Sequence, residues 1–177
     1  MSKAFTKDDA PDEPPLLRPR APLPEGVTNY VTARGLEALH DERRRLDAER
    51  ASLDATGDPS ERARAVAALA ARLAELDERI ASATVIDVRA QPHDEVRFGA
   101  TVRVASEGAA PRAYQIVGVD EADVAHGRVA FVAPLARALL GKRVGDAAVV
   151  RTPRGDEELE VLAIAYPEDD ARSGRQE

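Results

Sequence analysis

Two consecutive segments with a helical apolar pattern, separated by only a few residues, constrain this chain more than any other feature. In the first segment Leu39, Leu46 and Leu53 recur every seven residues, and Leu36 falls on the same side. The second segment alternates apolar spacings of three and four, which is the seam of a coiled coil. Its apolar positions are Val66, Leu69, Leu73, Leu76 and Ile80. Two helices of about 24 residues each, joined so closely, must return on one another as an antiparallel hairpin about 36 Å long.

The stretch between the two segments, "ATGDPSERAR" at residues 55–64, contains the signals that start a helix. Asp58 can cap the second helix, Pro59 suits its first position, and Glu61 completes an aspartate version of the capping box. Thr32 can cap the first helix in the same way. On this pattern alone the two acids have a structural explanation, worth about 1 kcal/mol each.

After the second helical segment, the chain changes to short runs rich in valine and isoleucine, separated by turn-forming residues. Several runs alternate apolar and polar side chains, which predicts the strands of an antiparallel sheet. One short helix interrupts them in "PLARALLGK", where Pro134 suits the first turn and Gly141 the end. We expect Leu135, Leu139 and Leu140 to pack this helix on the sheet. The predicted fold class is therefore α+β.

The composition shifts along the chain predict four parts. Residues 1–28 are charged and rich in proline, and residues 167–177 are polar, so we expect both to be flexible tails. Residues 29–83 form the helical hairpin. Residues 84–166 form the sheet domain with its single helix.

Charge and composition exclude several function classes. A formal net charge of -7 argues against a general coat on nucleic acid, because such affinity comes from neutralised phosphates. The chain has no cysteine and only three scattered histidines, which argues against disulfides and zinc. Aromatic residues make up 3%, too few for the stacking platforms of a single-strand binder. Since no segment has the apolar length of a signal peptide or a membrane span, we expect a cytoplasmic protein with no membrane partner.

Dispersed motifs follow one another along residues 29–166. They are "GLEALHDERRRLDAE", "GDPSE", "VIDV", "FGATVRV", "YQIVGVDEAD", "PLARALLGKRVGD" and "VVRTPRGDEELEVLAIAY". In this order they resemble the bacterial Gre transcript-cleavage factors, a family of transcription elongation factors. The resemblance implies an N-terminal antiparallel coiled coil and a C-terminal domain of the FKBP-like fold. It also implies a partner, bacterial RNA polymerase, whose secondary channel receives the coil while the globular domain holds the rim.

In the resembled family, two acids at the tip of the coil help to hold a second Mg²⁺ ion and a water in the polymerase's active site. The family's motif is Gly-Asp, two residues, then Glu-Asn, and Gly57, Asp58 and Glu61 match it. By resemblance, Asp58 and Glu61 are the catalytic tip acids and bind metal only within the complex. The protein then has no cofactor of its own, shares the polymerase's Mg²⁺, and modifies the polymerase without being an enzyme itself.

The chain departs from the family's motif directly after Glu61. Arg62 stands where the family has asparagine, and Arg64 and Ala65 replace an acidic-aromatic pair. The arms of the coil are also shorter than in typical members by roughly six to eight residues, or on the order of 10 Å. Two functions therefore stay open: stimulation of RNA cleavage in backtracked complexes, or regulation from the same channel without cleavage. The second is similar to anti-cleavage homologues and to the short-coiled regulator of nucleoside diphosphate kinase.

Arginines cluster on the first helix and near the tip. Since Arg43 and Arg44 have acidic neighbours, we expect them to form a solvated, salt-bridged face. In the resembled family, basic residues along the coil hold the 3′ end of the nascent RNA. By resemblance this role falls to Arg50, Arg62 and Arg64, and DNA is involved only indirectly.

The resemblance also indicates which residues of the sheet domain meet the polymerase rim. They are Asp120, Glu121, Asp123, Pro134 and Arg137. An acidic loop of this kind suits a basic coiled coil on the polymerase. We expect the factor to act as a monomer.

The FKBP-like fold alone suggests a further function, peptidyl-prolyl isomerisation. Fold does not determine function, however, because unrelated activities share a fold. With three Phe, three Tyr and no Trp, the chain is expected to lack the aromatic-lined pocket that such enzymes use. The sequence therefore favours a polymerase-binding factor over an isomerase.

Overall fold

A computed structural model describes residues 20–53, 58–153 and 155–166 of the chain. The predicted tail at 167–177 and residues 1–19 of the predicted tail at 1–28 lie outside these ranges. The described end of the first tail contains a turn, in which the Val27 N–H donates to the Pro24 carbonyl at 3.1 Å. No described helix is both long enough and apolar enough to cross a membrane.

The described residues form an α+β structure in which two helices precede a sheet, as predicted. The elements are β1 (Asn29–Val31), α1 (Ala33–Ser52), α2 (Pro59–Ala81), β2 (Ala83–Val85), β3 (Thr101–Ala105), β4 (Arg112–Val117), β5 (Arg128–Ala130), α3 (Pro134–Leu139), β6 (Ala147–Thr152) and β7 (Gly155–Ala165). We call α1 and α2 the helix pair. The five strands β3 to β7, α3 and the turns between them are called the sheet body.

The helix pair is held together by the leucine seam that the sequence predicts. Its buried members are Leu39, Leu46, Leu69, Leu73 and Leu76, and Leu53 and Ile80 pack beside them. Thr32 caps α1, with its hydroxyl oxygen accepting the Gly35 N–H at 2.9 Å. Asp58 caps α2, with its carboxylate accepting the Ser60 N–H at 2.8 Å. Both predicted N-caps are therefore confirmed.

The sheet body contains a five-stranded sheet in the order β5-β4-β3-β7-β6. Its β3–β4, β3–β7 and β6–β7 pairs are antiparallel, but β4 and β5 are parallel, so the prediction of a wholly antiparallel sheet is wrong at this edge. The reason is the connection: two short helical turns, Val119–Glu121 and Val124–His126, separate β4 from β5. A tight hairpin turn reverses a strand, whereas a longer connection can return the chain in the same direction.

Two further features of the fold were not predicted. The short strands β1 and β2, at the entrance to α1 and the exit of α2, pair in parallel as a separate two-stranded sheet. The run "VIDV" contributes only Val85 to a strand, and Val88 already belongs to a short helical turn at Val88–Ala90. Three-residue strands give too short an apolar alternation to be recognised in a sequence.

The core of the sheet body lies between the sheet and α3. Leu139 and Ala136 are fully buried in it, together with Ile116 and Val161. Leu135 and Leu140 pack against this core, so the expected packing of the helix on the sheet is confirmed.

Replacing Leu76 by alanine should strongly destabilise the helix pair. Leu76 is fully buried in the seam, and removal of such a side chain costs about 2–5 kcal/mol because it leaves a cavity. Urea unfolding followed by far-ultraviolet circular dichroism measures the change. The matched control is Val149→Ala, at a position 56% exposed on β6, which should change the free energy of unfolding by less than about 0.5 kcal/mol. Equal effects of the two substitutions would contradict the proposed seam.

Candidate functional site

The far end of the helix pair carries the two acids that the sequence singles out. Asp58 is the N-cap of α2 and Glu61 lies in its first turn, and both side chains are exposed. Gly57, the first residue of the matched motif, lies outside the described residues. The two carboxylates stand three positions apart at a helix start, so they lie on the same side of the first turn. They are also close to the backbone N–H groups that have no partner within the helix.

This pair of acids can supply oxygen ligands to a hard cation but cannot enclose one. Mg²⁺ requires near-octahedral oxygen coordination and commonly takes one or two protein carboxylates, with water or substrate oxygens completing the shell. Within residues 20–53, 58–153 and 155–166, no group of three or more acids or histidines is arranged to hold a metal ion. The donor chemistry of the two carboxylates fits one or two positions in the oxygen shell of a Mg²⁺ ion.

The arginines of the helix pair fall into two groups. Arg43 is paired across the helices with Asp77 at 2.6 Å, and this hydrogen bond raises the pKa of Arg43. Arg44 pairs with Asp41 one turn away on α1. The salt-bridged face expected for these two arginines is confirmed.

The second group of arginines lies toward the far end. Arg50 is exposed in the last turn of α1, and Arg64 is exposed on α2. Arg62, which replaces the family's asparagine, is half-buried on the first turn of α2. The structure therefore brings these three cations to the same end of the helix pair as Asp58 and Glu61.

At the opposite end, Asp120 joins the helix pair to the sheet body. Its side chain is 5% exposed and lies between two guanidinium groups: Arg79 of α2, with Nε to Oδ2 at 3.3 Å, and Arg20, with Nη1 to Oδ1 at 2.7 Å. Arg20 also binds Glu42 of α1 at 2.8 Å. Burial disfavours the charge of Arg20, but its hydrogen bonds to Glu42 and Asp120 outweigh that effect and raise its pKa.

Glu121, the next residue, binds the start of α1. Its Oε1 accepts the Thr32 N–H at 2.9 Å and the Gly118 N–H at 3.2 Å, and its Oε2 accepts the Thr32 hydroxyl at 2.5 Å. The Thr32 hydroxyl in turn accepts the Gly35 N–H, so a carboxylate of the sheet body extends the cap of α1. An anion at a helix N-terminus is stabilised by the unpaired N–H groups there.

Glycines at positions 35 and 118 make room for this carboxylate. A Cβ on Gly35 would lie 2.2 Å from Cδ of Glu121, and a Cβ on Gly118 would lie 2.8 Å from its Oε1 and 2.7 Å from the Tyr30 carbonyl oxygen. Both positions therefore exclude any side chain while Glu121 is bound. We call Arg20, Glu42, Arg79 and Asp120, with Glu121 and Thr32, the junction network.

The third predicted docking acid, Asp123, lies in a tight exposed loop. Its carboxylate accepts hydrogen bonds from His126 at 2.6 Å and Arg128 at 3.0 Å, which lower the pKa of Asp123. Backbone hydrogen bonds join Asp123 and Arg128 in both directions at 2.9 Å. The loop displays Val124, which is 87% exposed, at its outer end.

The two remaining predicted docking residues lie on α3. Pro134 occupies the first position of the helix and Arg137 follows one turn later, and both are exposed. Of the five predicted docking residues, these two and the loop around Asp123 present outward surface. Asp120 and Glu121 are instead engaged in the junction network.

A cavity of about 400 Å³ opens beside the base of the sheet body. Tyr30 and Phe98 contribute to its wall, and their rings lie 6.1 Å apart. Only these two of its nine lining residues are aromatic, so it is not the aromatic-lined pocket that an isomerase uses, and the expectation that the chain lacks such a pocket stays a prediction. The rings of Tyr30 and Phe98 pack against each other and against the ring of Phe131. The ring centroids of Tyr30 and Phe131 lie 5.6 Å apart.

Sequence reasoning missed the basic half of the junction network. Arg79 ends the apolar seam of α2 and is 9% exposed, and Arg20 belongs to a stretch interpreted as tail. Asn29, which is 2% exposed, donates to the Arg79 carbonyl at 2.9 Å and was likewise not singled out. The only signal in the sequence was an arginine at the end of an apolar stripe, which usually indicates a solvated residue.

Comparison with known proteins identifies relatives over most of the chain. A family profile described as "Transcription elongation factor, GreA/GreB, C-term" matches residues 91–166. Transcription elongation factor GreA of Anaeromyxobacter sp. (strain K) is 40% identical over 155 residues, covering 79% of this chain and 93% of the relative. GreA of Methylobacterium sp. (strain 4-46) is 42% identical over 151 residues, covering 77% and 96%.

Solved structures of this group are also similar to the chain. The transcription elongation factor GreA/GreB from Nitrosomonas europaea is 20% identical and covers 79% of this chain and 99% of that one, with a TM-score of 0.39.

The close fit of Glu121 against Gly35 predicts an unusual double-mutant result. Gly35→Ala alone should destabilise the protein, although alanine is favoured over glycine in a helix by up to about 1 kcal/mol, because the new Cβ displaces the Glu121 carboxylate. In a Glu121→Ala background, the same substitution should be neutral or stabilising. Urea unfolding of the four proteins measures both effects. If Gly35→Ala stabilised the parent protein, the Glu121 carboxylate would not occupy the space beside Gly35 at the start of α1.

Proposed function

The chain belongs to the GreA/GreB family of transcription elongation factors, and we propose that it binds bacterial RNA polymerase at the secondary channel and inserts its helix pair there. The supporting observation is that 40% identity extends over 93% of a GreA relative, so the likeness includes the helix pair as well as the sheet body. As a factor of this family, it acts on transcription and not as an independent enzyme.

We further propose that the helix pair is an antiparallel coiled coil at residues 29–83 and that residues 84–166 form an FKBP-like domain. The continuous leucine seam and the cross-helix ion pair of Arg43 with Asp77 support the first part. The single helix packed on a curved sheet supports the second. A rod of this kind, about 34 Å long for the 23 residues of α2, is narrow enough to enter a channel.

The tip acids then act inside the polymerase. Asp58 and Glu61 are exposed at the end of the rod that is farthest from the junction network, and they offer carboxylate oxygens to a Mg²⁺ that the polymerase also binds. Such an ion lowers the pKa of a bound water and supplies a nucleophile for attack on a phosphodiester. Asp58 and Glu61 would hold that shared ion and orient its water, and the resulting cleavage would shorten backtracked RNA.

The arginines at the tip complete the interaction with the transcript. Arg64 is exposed one turn after Glu61 on α2, Arg50 is exposed in the last turn of α1, and a guanidinium binds phosphate in a bidentate manner. Together with Arg62, they hold the 3′ end of the nascent RNA next to Asp58 and Glu61. DNA is involved only through the polymerase complex, and the factor acts as a monomer.

Docking on the polymerase rim involves two kinds of residue. Asp123, Pro134 and Arg137 present outward surface and contact the partner directly. Asp120 and Glu121 belong to the same loop, but their carboxylates are bound internally, so they act by holding the loop and the helix pair in register. The Asp123 carboxylate next to an exposed Val124 suits a partner surface that offers a basic group beside an apolar contact.

A cleavage assay on backtracked complexes tests the tip. The parent protein should accelerate RNA trimming by the polymerase. Asp58→Asn with Glu61→Gln should reduce trimming to the rate of the polymerase alone and change polymerase affinity little, because the proposed docking residues lie on the sheet body at the other end of the helix pair. A matched control is Glu37→Gln with Glu78→Gln, which removes the same charge from two exposed positions near the base and should retain full stimulation.

Two outcomes of this assay would contradict the proposal in different ways. If the polymerase trims RNA equally fast with the Asp58→Asn, Glu61→Gln variant and with the parent protein, groups other than these two acids hold the Mg²⁺ ion. Unchanged or slower trimming on addition of the parent protein, with binding intact, would instead identify a non-cleaving channel regulator.

A second experiment tests the docking surface. Replacement of both Pro134 and Arg137 by alanine should weaken binding to the polymerase by about tenfold, equivalent to about 1.4 kcal/mol. The free energy of unfolding should fall by no more than about 1 kcal/mol, because both side chains are exposed and only the proline at the start of α3 contributes to stability. The control is Arg151→Ala, at an exposed position on β6. Binding is measured by fluorescence anisotropy with labelled factor, and equal affinity of the three proteins would exclude this face.

A further inference from the structure

The N-terminal arm, defined as residues 20–28, contributes directly to the joint between the helix pair and the sheet body. Arg20 is the first described residue, yet its side chain is only 19% exposed. The Ala21 carbonyl accepts a hydrogen bond from Nη2 of Arg79 at 2.5 Å. The arm then turns at Pro24 and Val27 and enters β1.

Arg20 is the residue of this arm that contacts both sides of the joint. Its Nη2 donates to Oε1 of Glu42 on α1 at 2.8 Å, and its Nη1 donates to Oδ1 of Asp120 in the sheet body at 2.7 Å. The planar guanidinium fixes the angle between its two hydrogen bonds, because its donors form a rigid fork. One side chain therefore sets the separation and direction of Glu42 relative to Asp120.

The burial of Asp120 makes this contact more consequential than an exposed ion pair. Exposed pairs contribute little, since water and salt screen them, but the Asp120 side chain is 5% exposed. Its second guanidinium contact, Arg79, comes from α2, and Arg79 also binds the arm through Ala21. Arm, α1, α2 and sheet body are thus joined through two carboxylates, Glu42 and Asp120, and two arginines, Arg20 and Arg79.

We propose that Arg20 is a positioning residue that fixes the direction of the helix pair relative to the sheet body. With Arg20 absent, Asp120 keeps Arg79 and Glu121 keeps Thr32 at the start of α1, but the hydrogen-bonded link from Glu42, farther along α1, to the loop is lost. About 24 Å of helix separates Arg79 from Ala63, so a swing of about 15° at the base displaces the far end by about 6 Å. The consequence for transcription rests on the function proposed above, whereas the direction of the helix pair is a property of the free protein.

Distance measurement between two spin labels tests this proposal in the full-length chain. The sequence contains no cysteine, so Ala63→Cys near the tip and Val149→Cys on β6, both exposed, provide unique attachment sites. Double electron–electron resonance should give a narrow distance distribution for the parent. In Arg20→Gln the distribution should shift or broaden, by about 6 Å if the helix pair swings by about 15° at its base.

Two further variants make the test specific. Glu42→Gln removes the α1 partner of Arg20. It should change the distance distribution in the same way as Arg20→Gln does. Arg44→Gln is the matched control, since it removes the same charge from an ion pair that lies within α1, and it should leave the distribution unchanged. Circular dichroism establishes that each variant is folded; if Arg20→Gln does not fold, the comparison of Glu42→Gln with Arg44→Gln decides.

An unchanged distribution in folded Arg20→Gln, or equal broadening in Arg44→Gln, would overturn the proposal. In the polymerase assay, Arg20→Gln should lower the trimming rate while changing affinity by less than about threefold, because the docking face is untouched. If the parent itself does not stimulate trimming, the proposed cleavage function fails, but the spin-label distances still decide the role of Arg20.

Discussion

The buried carboxylate of Asp120, held between the guanidinium groups of Arg79 and Arg20, is the interaction on which the arrangement of this molecule depends. It lies where the N-terminal arm, both helices and the sheet body meet. A buried ion pair need not add net stability, because desolvation of the charges is costly, but loss of one partner leaves an uncompensated charge. The network therefore favours a single arrangement of the helices and the sheet, since other arrangements separate its charges.

The sequence predicted those parts of the structure that local patterns determine. The leucine seam, the caps at Thr32 and Asp58 and the packing of α3 all follow from spacings within one element. The roles of Asp120 and Glu121 did not, because their partners come from distant parts of the chain. Glu121 binds Thr32, 89 positions earlier, and no pattern along the chain reveals such a contact. The parallel β4–β5 pair was missed for the same reason, since strand direction depends on the path of the connecting turns.

The tip acids illustrate that a structural and a functional explanation need not compete. Asp58 accepts the Ser60 N–H and so caps α2, which explains its presence without reference to any partner. An ionised carboxylate, however, has two oxygens and about four lone-pair sites, so one capping bond leaves capacity for a cation. Capping also fixes the side chain in place, which reduces the entropy lost when a ligand binds. The feature that stabilises the helix can thereby prepare the acid for coordination.

The two sets of ion pairs in this molecule differ in how strongly they respond to dissolved electrolyte. The Arg43–Asp77 pair is about half exposed, so mobile ions at physiological concentration, with a screening length of about 8 Å, weaken it. The Asp120 pairs are largely shielded from those ions. Concentrated potassium salts should therefore loosen the flanks of the leucine seam well before they alter the angle at its base. When the salt concentration of the cell changes, the direction of the helix pair relative to the sheet body should therefore change less than the stiffness of the helix pair itself.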